Sequence, residues 1–247
     1  IILTDIDDTL TTDGRLKSNA YTALENLSNS GFIVIPVTGR CAGWCDHIAR
    51  MWPVNGVVGE NGAFFFSYDH QSKKMQQTYC QTPKERKENH LALHEIKKTI
   101  LKDVSGSALA SDQDYRHTDL AIDFAEDVAT LSSNKIKEIV TIAENAGAIA
   151  KVSSIHVNCW IGSHNKLSTS LTTLEQVFGV SNSNIQNEVL FIGDSPNDSM
   201  MFDYFNKSVG VANVMDFIKE LDKPPKYITL NHSGEGFVEL ADSLLRR

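Results

Sequence analysis

An apolar run, Ile1-Ile2-Leu3-Thr4, ends abruptly on Asp5, Asp7 and Asp8. The run is continuous rather than alternating, the pattern of a parallel strand buried on both faces. Carboxylates crowded at its C-terminal end repel one another unless a cation or a proton compensates. Capping a helix needs only one such residue. A plain surface turn is therefore the weaker reading, and the strand is expected to deliver a charged site.

The chain around that strand alternates in kind. Residues 18–30 carry Ala20, Leu24 and Leu27 at helical spacing, with Gly31 placed as the stop. Phe32 to Val37 reads as a second buried strand ending at Thr38-Gly39-Arg40, followed by a helix over 41–51 and the short strand Gly56-Val57-Val58. This β-α-β-α-β order predicts a parallel sheet covered by helices.

After Glu60-Asn61-Gly62-Ala63 the texture changes. A hairpin is expected over 64–80, then an amphipathic helix over 84–104 carrying Leu91, Leu93, Ile96, Ile100 and Leu101. A half-exposed strand at 120–124, a helix at 133–146, and one long or two short strands from Ala148 to Trp160 complete that block. From Lys166 the parallel pattern resumes. It comprises a helix over 167–178 (Leu171, Leu174, Val177, Phe178), a strand at 189–192 ending at Gly193-Asp194, and a helix at 200–205. Strands at 208–211 and 227–229 and a last helix from Gly236 close the chain. The expected fold class is α/β: a Rossmann-like parallel-sheet core from residues 1–80 and 161–247, with an inserted α/β domain at 81–160.

Composition excludes several classes. The net charge is −8, and no stretch of Lys and Arg is long enough for a nucleic-acid footprint. The pairs Lys73-Lys74, Lys97-Lys98 and Arg246-Arg247 read as solvated surface. No run approaches the ~18 consecutive apolar residues of a membrane span, and acidic residues from Asp5 onward do not fit a signal peptide. Cys41, Cys45, Cys80 and Cys159 lack the spacing of a disulfide framework, and Cys41, Cys45 and His47 lack the second ligand pair of a zinc site. A cytoplasmic protein is expected, a monomer or small homo-oligomer.

Two further loops at expected strand ends are polar. Thr38 with the Gly39 N–H, opening a helix, makes an anion site. Gly193-Asp194-Ser195-Pro196-Asn197-Asp198 repeats the strand-then-acids arrangement, although alone it could serve as a helix cap. Lys166 alone reads as a surface lysine.

Together, Asp-x-Asp-x-Thr at 5–9, Thr-Gly-Arg at 38–40, Lys166, and Gly-Asp-x-x-Asn-Asp at 193–198 resemble the four motifs of the haloacid dehalogenase-like (HAD) phosphohydrolases, in family order. The inserted block resembles the α/β cap of the Cof-type branch. Glu60-Asn61-Gly62-Ala63 and Ile155 to Trp160 are similar to the sucrose-phosphatase and mannosyl-3-phosphoglycerate-phosphatase group. The resemblance implies a phosphatase for a small phosphate ester, a sugar phosphate or phosphoglycerate derivative. Asp5 would be the nucleophile and Asp7 the acid and base. Mg²⁺ would be held by Asp5, the Asp7 carbonyl and Asp194, with Asp198 beside it. Thr38, Gly39 and Lys166 would take the phosphoryl group, and Asn197 would orient Lys166. Arg40, Asn61, His156, Asn158 and Trp160 are candidates for the rest of the substrate, although His156 and Trp160 also suit the core of the cap.

Asp8 stands where the branch commonly has Gly. A phosphotransferase or mutase is an alternative, since either uses the same aspartyl-phosphate. A non-catalytic phosphate-binding module would be expected to lack Asp5, Asp7 or Lys166, and all three are present.

Overall fold

The continuous apolar runs become strands because both of their faces are covered. Ile2 turns to one hydrophobic cluster and Leu3 to another, and Val34 and Ile35 divide in the same way. The computed structural model describes residues 1–153 and 155–246. Ser154, inside the expected 148–160 strand region, and Arg247, of the C-terminal basic pair, lie outside the described residues.

In chain order the first elements are β1 (Ile2–Thr4), α1 (Ser18–Asn29), β2 (Val34–Pro36), α2 (Ala42–Met51), β3 (Val57–Gly59), β4 (Phe64–Asp69) and β5 (Lys74–Tyr79). Next come α3 (Pro83–Asp103), β6 (Ala108–Leu109), β7 (Asp119–Asp123), α4 (Ser133–Asn145), β8 (Ile149–Val152) and β9 (His156–Trp160). The remainder is α5 (Lys166–Gln176), α6 (Ile185–Glu188), β10 (Leu190–Gly193), α7 (Ser199–Tyr204), β11 (Lys207–Gly210), β12 (Tyr227–Ile228) and α8 (Ser233–Leu245).

A parallel sheet runs β12-β11-β10-β1-β2. Leu3 pairs with Phe191 on one side and Ile35 on the other. β3 touches this sheet through one parallel bridge, Val37 to Val58, and then pairs antiparallel with β4 and β5. The third strand of the expected parallel set therefore leads the sheet into an antiparallel extension. Helices α1, α2 and α8 cover one face through Leu24, Ile48 and Phe237, and α5 and α7 cover the other through Leu174 and Phe202.

The block after β5 has a separate apolar cluster, whose buried members run from Leu93 to Cys159. Its sheet runs β6-β7-β9-β8, antiparallel, with α3 and α4 packed on one face. Thr82 and Glu85 close a capping box at the start of α3, with Pro83 at its first position.

Three expectations need correction. The strand at 120–124 is not half exposed: all of Asp119–Asp123 is buried, because its polar face is covered as well as its apolar one. Leu91 and Leu101 face outward, as only Leu93, Ile96 and Ile100 share the buried stripe of α3. Val177, just past α5, is exposed rather than part of its apolar face. Among the described residues no helix is long and apolar enough to cross a membrane.

Candidate active site

β1 lies between β2 and β10, and the helix after β1 packs on one face of the sheet while the helix after β10 packs on the other. In open parallel sheets such a switch point opens a crevice. Asp5 follows β1 there, buried, with its N–H bonded to the Ile192 carbonyl at 2.9 Å. Thr38 follows β2 and is fully buried; its Oγ1 accepts the Arg40 N–H at 3.0 Å. Asp194 follows β10, and Asp198 is buried in the turn that opens α7.

Lys166 arrives from α5. The Asn165–Ser168 capping box starts that helix and sets Lys166 at its first position, pointing inward. Its Nζ donates to Asp5 Oδ1 at 2.7 Å and to Asp198 Oδ1 at 2.8 Å. Asn197, expected to orient this lysine, makes no hydrogen bond to it among the described residues; Asp198 takes that part, because it is the turn residue whose side chain faces inward. Carboxylate oxygens of Asp5, Asp194 and Asp198 lie within 4.8 Å of one another. Thr9 Oγ1 donates to Asp194 Oδ1 at 3.1 Å, and the Asp194 N–H donates to Asp198 Oδ2 at 3.1 Å.

Burial raises the Asp5 carboxyl well above the usual carboxylate range; Lys166 pulls it back, while Asp198 and Asp7 push it further up. Burial raises Asp194 too, with repulsion from Asp5 and Asp198 added. For Lys166 burial acts downward, but the attraction of Asp198 and Asp5 outweighs it and raises the ammonium. One ammonium thus faces three buried carboxylates. An all-oxygen set with surplus negative charge fits a hard divalent cation.

The Asp7 carboxylate is bonded outside this group. Arg40 forks onto its carboxylate, Nε at 3.0 Å and Nη2 at 2.7 Å, and stacks over Trp44 at 4.5 Å from the ring centre. Asp8 has φ 53°, a left-handed conformation that Asp tolerates better than most residues, which accounts for Asp where the branch commonly has Gly.

The candidate substrate residues divide into two groups. A Cβ at Gly39 would lie 3.1 Å from Asn61 Oδ1 and 3.4 Å from Asn158 Nδ2, so both amides crowd the Thr38–Arg40 turn. Both amide atoms of Asn61 and the Oδ1 of Asn158 are buried without a hydrogen-bond partner among the described residues. His156 Nε2 sits 2.9 Å from Glu126 Oε2 on the same face of β9. Trp160 is placed otherwise: its indole N–H donates to the His164 carbonyl at 3.1 Å, which fits the structural reading better than substrate contact.

His164 itself is buried, and burial pushes its imidazole down from 6.5 to about 4. A folded-state pKa below the unfolded one means that stability is intact above the unfolded value and is lost as pH falls through that window. Urea denaturation should show the protein losing roughly 3 kcal/mol from this group between pH 6.5 and 4. His164→Asn should lack that part of the acid limb; identical acid limbs would remove His164 as its source.

Three polar residues escaped the sequence reading, and Glu60 entered it only through the Glu60–Ala63 resemblance. Asn213 Nδ2 donates to the Asp8 carbonyl at 3.1 Å and to Asp194 Oδ2 at 3.3 Å, tying the two acidic loops together. Glu60, Arg116 and Asp119 form a buried charged group beside the Thr38–Arg40 turn. Only Glu60 carried a sequence signal, an acid one glycine beyond the short apolar strand at 56–58.

The profile of the haloacid dehalogenase-like hydrolases matches residues 2–239. A phosphoglycolate phosphatase of Methanobrevibacter smithii is 24% identical over 249 aligned positions, 99% of this chain and 97% of that protein. A crystal structure from Thermoplasma acidophilum superposes with a TM-score of 0.74 at 18% identity, covering 98% of this chain and 96% of the other. The Synechocystis sucrose-phosphatase, solved with sucrose and phosphate, superposes with a TM-score of 0.65 at 15% identity, covering 99% and 97%. These likenesses establish the fold.

Proposed function

The chain belongs to the haloacid dehalogenase-like hydrolase family, and from that premise we propose that it is a Mg²⁺-dependent phosphomonoesterase working through an aspartyl-phosphate on Asp5. The observation that carries this reading is Lys166, buried and bonded at once to Asp5 and Asp198 at the mouth of the parallel sheet. A cation so placed neutralises charge between a carboxylate nucleophile and a phosphoryl oxygen.

The chemistry runs in two steps. One Asp5 oxygen attacks phosphorus, the bond from phosphorus to the leaving oxygen breaks, and Asp7 gives that oxygen its proton. Water then attacks the phosphorus of the acyl phosphate, Asp7 takes the proton back, and phosphate departs as Asp5 is regenerated. Thr38 and the Gly39 N–H bind the phosphoryl oxygens, and Lys166 offsets the negative charge of the substrate. Arg40 now holds the Asp7 carboxylate, which must leave that fork and take up a proton to act as the acid. Asp5, Asp194, Asp198 and the Asp7 carbonyl would hold Mg²⁺, which when bound screens the phosphoryl charge.

We read residues 81–160 as a cap over this site. Asn61 and Asn158 present amides that both donate and accept, matched to a hydroxylated leaving group. A sugar phosphate or phosphoglycerate derivative is the substrate class this favours. The similarity to a phosphoglycolate phosphatase makes phosphoglycolate the necessary comparison.

The test is phosphate release from sugar phosphates, phosphoglycerates, phosphoglycolate and nucleotides, each with Mg²⁺ and with chelator. Magnesium-dependent release from hydroxylated esters ahead of phosphoglycolate is expected. Preference for phosphoglycolate would overturn the substrate class, and no release from any ester would overturn the phosphatase reading.

A further inference from the structure

Three contacts between the segment joining β6 to β7 and the parallel-sheet unit bear on the Thr38–Arg40 turn. Tyr115 rests on Gly43 in the first turn of α2, where a Cβ would fall 2.9 Å from the Tyr115 Cβ, so the close approach needs glycine. The Glu60 carboxylate accepts the N–H of His117 at 2.9 Å and of Thr118 at 2.7 Å, together with the Thr118 hydroxyl. It also accepts the Ala42 N–H at 2.9 Å and so holds the start of α2. The third contact is made by Arg116, whose Nη1 donates to the Gly39 carbonyl at 3.2 Å.

Arg116 has no freedom to do otherwise. Its side chain is 1% exposed; Nε and Nη2 bind Asp112 at 2.9 and 3.0 Å, and Nη1 binds Asp119 at 3.0 Å. Replacing a buried ionic group of this kind by apolar residues is often neutral or stabilising, so stability alone is a weak reason for it. Its geometry supplies a better one. The Gly39 carbonyl and the Arg40 N–H belong to one planar peptide. That N–H donates to Thr38 Oγ1 at 3.0 Å. A hydroxyl that accepts there keeps its own proton to give elsewhere.

We propose that Arg116, a residue of the inserted block, is a positioning residue for the Thr38–Arg40 turn: by gripping the Gly39 carbonyl it fixes the peptide whose N–H orients the Thr38 hydroxyl toward a phosphoryl group. The proposal rests on the phosphatase reading in assigning that turn to the phosphoryl group. Arg116 acts on the part common to every phosphate ester and reads nothing of the leaving group. Binding of phosphate is thereby tied to docking of the inserted block.

Two variants separate this from a merely structural role. Arg116→Lys keeps a positive charge among Asp112, Asp119 and Glu60, but its donors radiate from one nitrogen and do not reproduce the planar fork that spans Asp112, Asp119 and the Gly39 carbonyl. The triple variant Asp112→Asn, Arg116→Met, Asp119→Asn removes the paired charges together. The readouts are the Kd of inorganic phosphate by calorimetry, melting temperature, and kcat/KM for two esters with unlike leaving groups. Both variants should bind phosphate at least about 10-fold more weakly, and should lose kcat/KM by equal factors on the two esters, on the order of 100-fold. An unchanged phosphate Kd in either folded variant, or a loss confined to one ester, overturns the assignment of Arg116. A wild type that binds phosphate but releases none from any ester overturns the phosphatase reading, while the phosphate Kd still decides Arg116.

Discussion

Asp5→Asn will lose at least about 10⁴-fold in kcat, the scale seen when a nucleophile is removed from a catalytic unit, while melting no lower than the parent protein. The two halves of this expectation have one source. Asn keeps a side-chain oxygen for the Lys166 ammonium that Asp5 Oδ1 now receives at 2.7 Å. It removes one of three buried carboxylates whose oxygens lie within 4.8 Å of one another. Burial disfavours the ionised form of Asp5, and Asp198 still pairs with Lys166, so loss of that one charge should cost the fold little. The chemistry does, because an amide oxygen is a poor nucleophile and no acyl phosphate can form. Initial rates at saturating substrate and a thermal melt test both halves on the same preparation. Activity within 100-fold of the parent protein would remove Asp5 as the nucleophile. A large drop in melting temperature would show that the carboxylate is structural.

Much of this site could be read locally because its residues sit where short apolar runs stop. Asp5, Thr38 and Asp194 each follow a strand whose two faces enter different clusters, so a continuous run such as Val34-Ile35 marks the strand and its last residue marks the site. Lys166 was readable only in company, since nothing in its own neighbourhood says that α5 will turn it inward. Helical spacing was over-read at Leu91, two residues and about 200° before Leu93, which puts it on the opposite face of α3. The half-exposed reading of 120–124 failed for a long-range reason. Asp119 and Asp123 are polar yet buried, one paired with Arg116 and the other accepting the N–H groups of Ala125, Glu126 and Asp127. Polar side chains look exposed to any local pattern, and their partners are fixed only by the packed fold. The contacts of Glu60 with His117 and Thr118 span 57 and 58 residues and leave no periodic trace.

Lys166→Met should be the most destabilising single change in the site. Removing one partner from a buried charged group costs about 3–5 kcal/mol, which is roughly 6–20 °C in melting temperature for a chain of this size. The reason is the arithmetic of charge at the mouth of the sheet: Asp5, Asp194 and Asp198 would face one another without the ammonium that bonds Asp5 and Asp198. Met fills similar volume, so the loss is electrostatic rather than a cavity. Activity should fall on the order of 10²–10³-fold, the effect of deleting a preorganised charge from a site where charge is handled. The variant also bears on the metal. With the ammonium absent, the same carboxylates gain more from a divalent cation, so Mg²⁺ should raise the melting temperature of Lys166→Met further than that of the parent protein, and chelator should abolish the difference. A variant that melts with the parent in chelator would mean that Lys166 compensates nothing. One that melts low and does not respond to Mg²⁺ would leave Lys166 its structural role but remove the cation from these carboxylates.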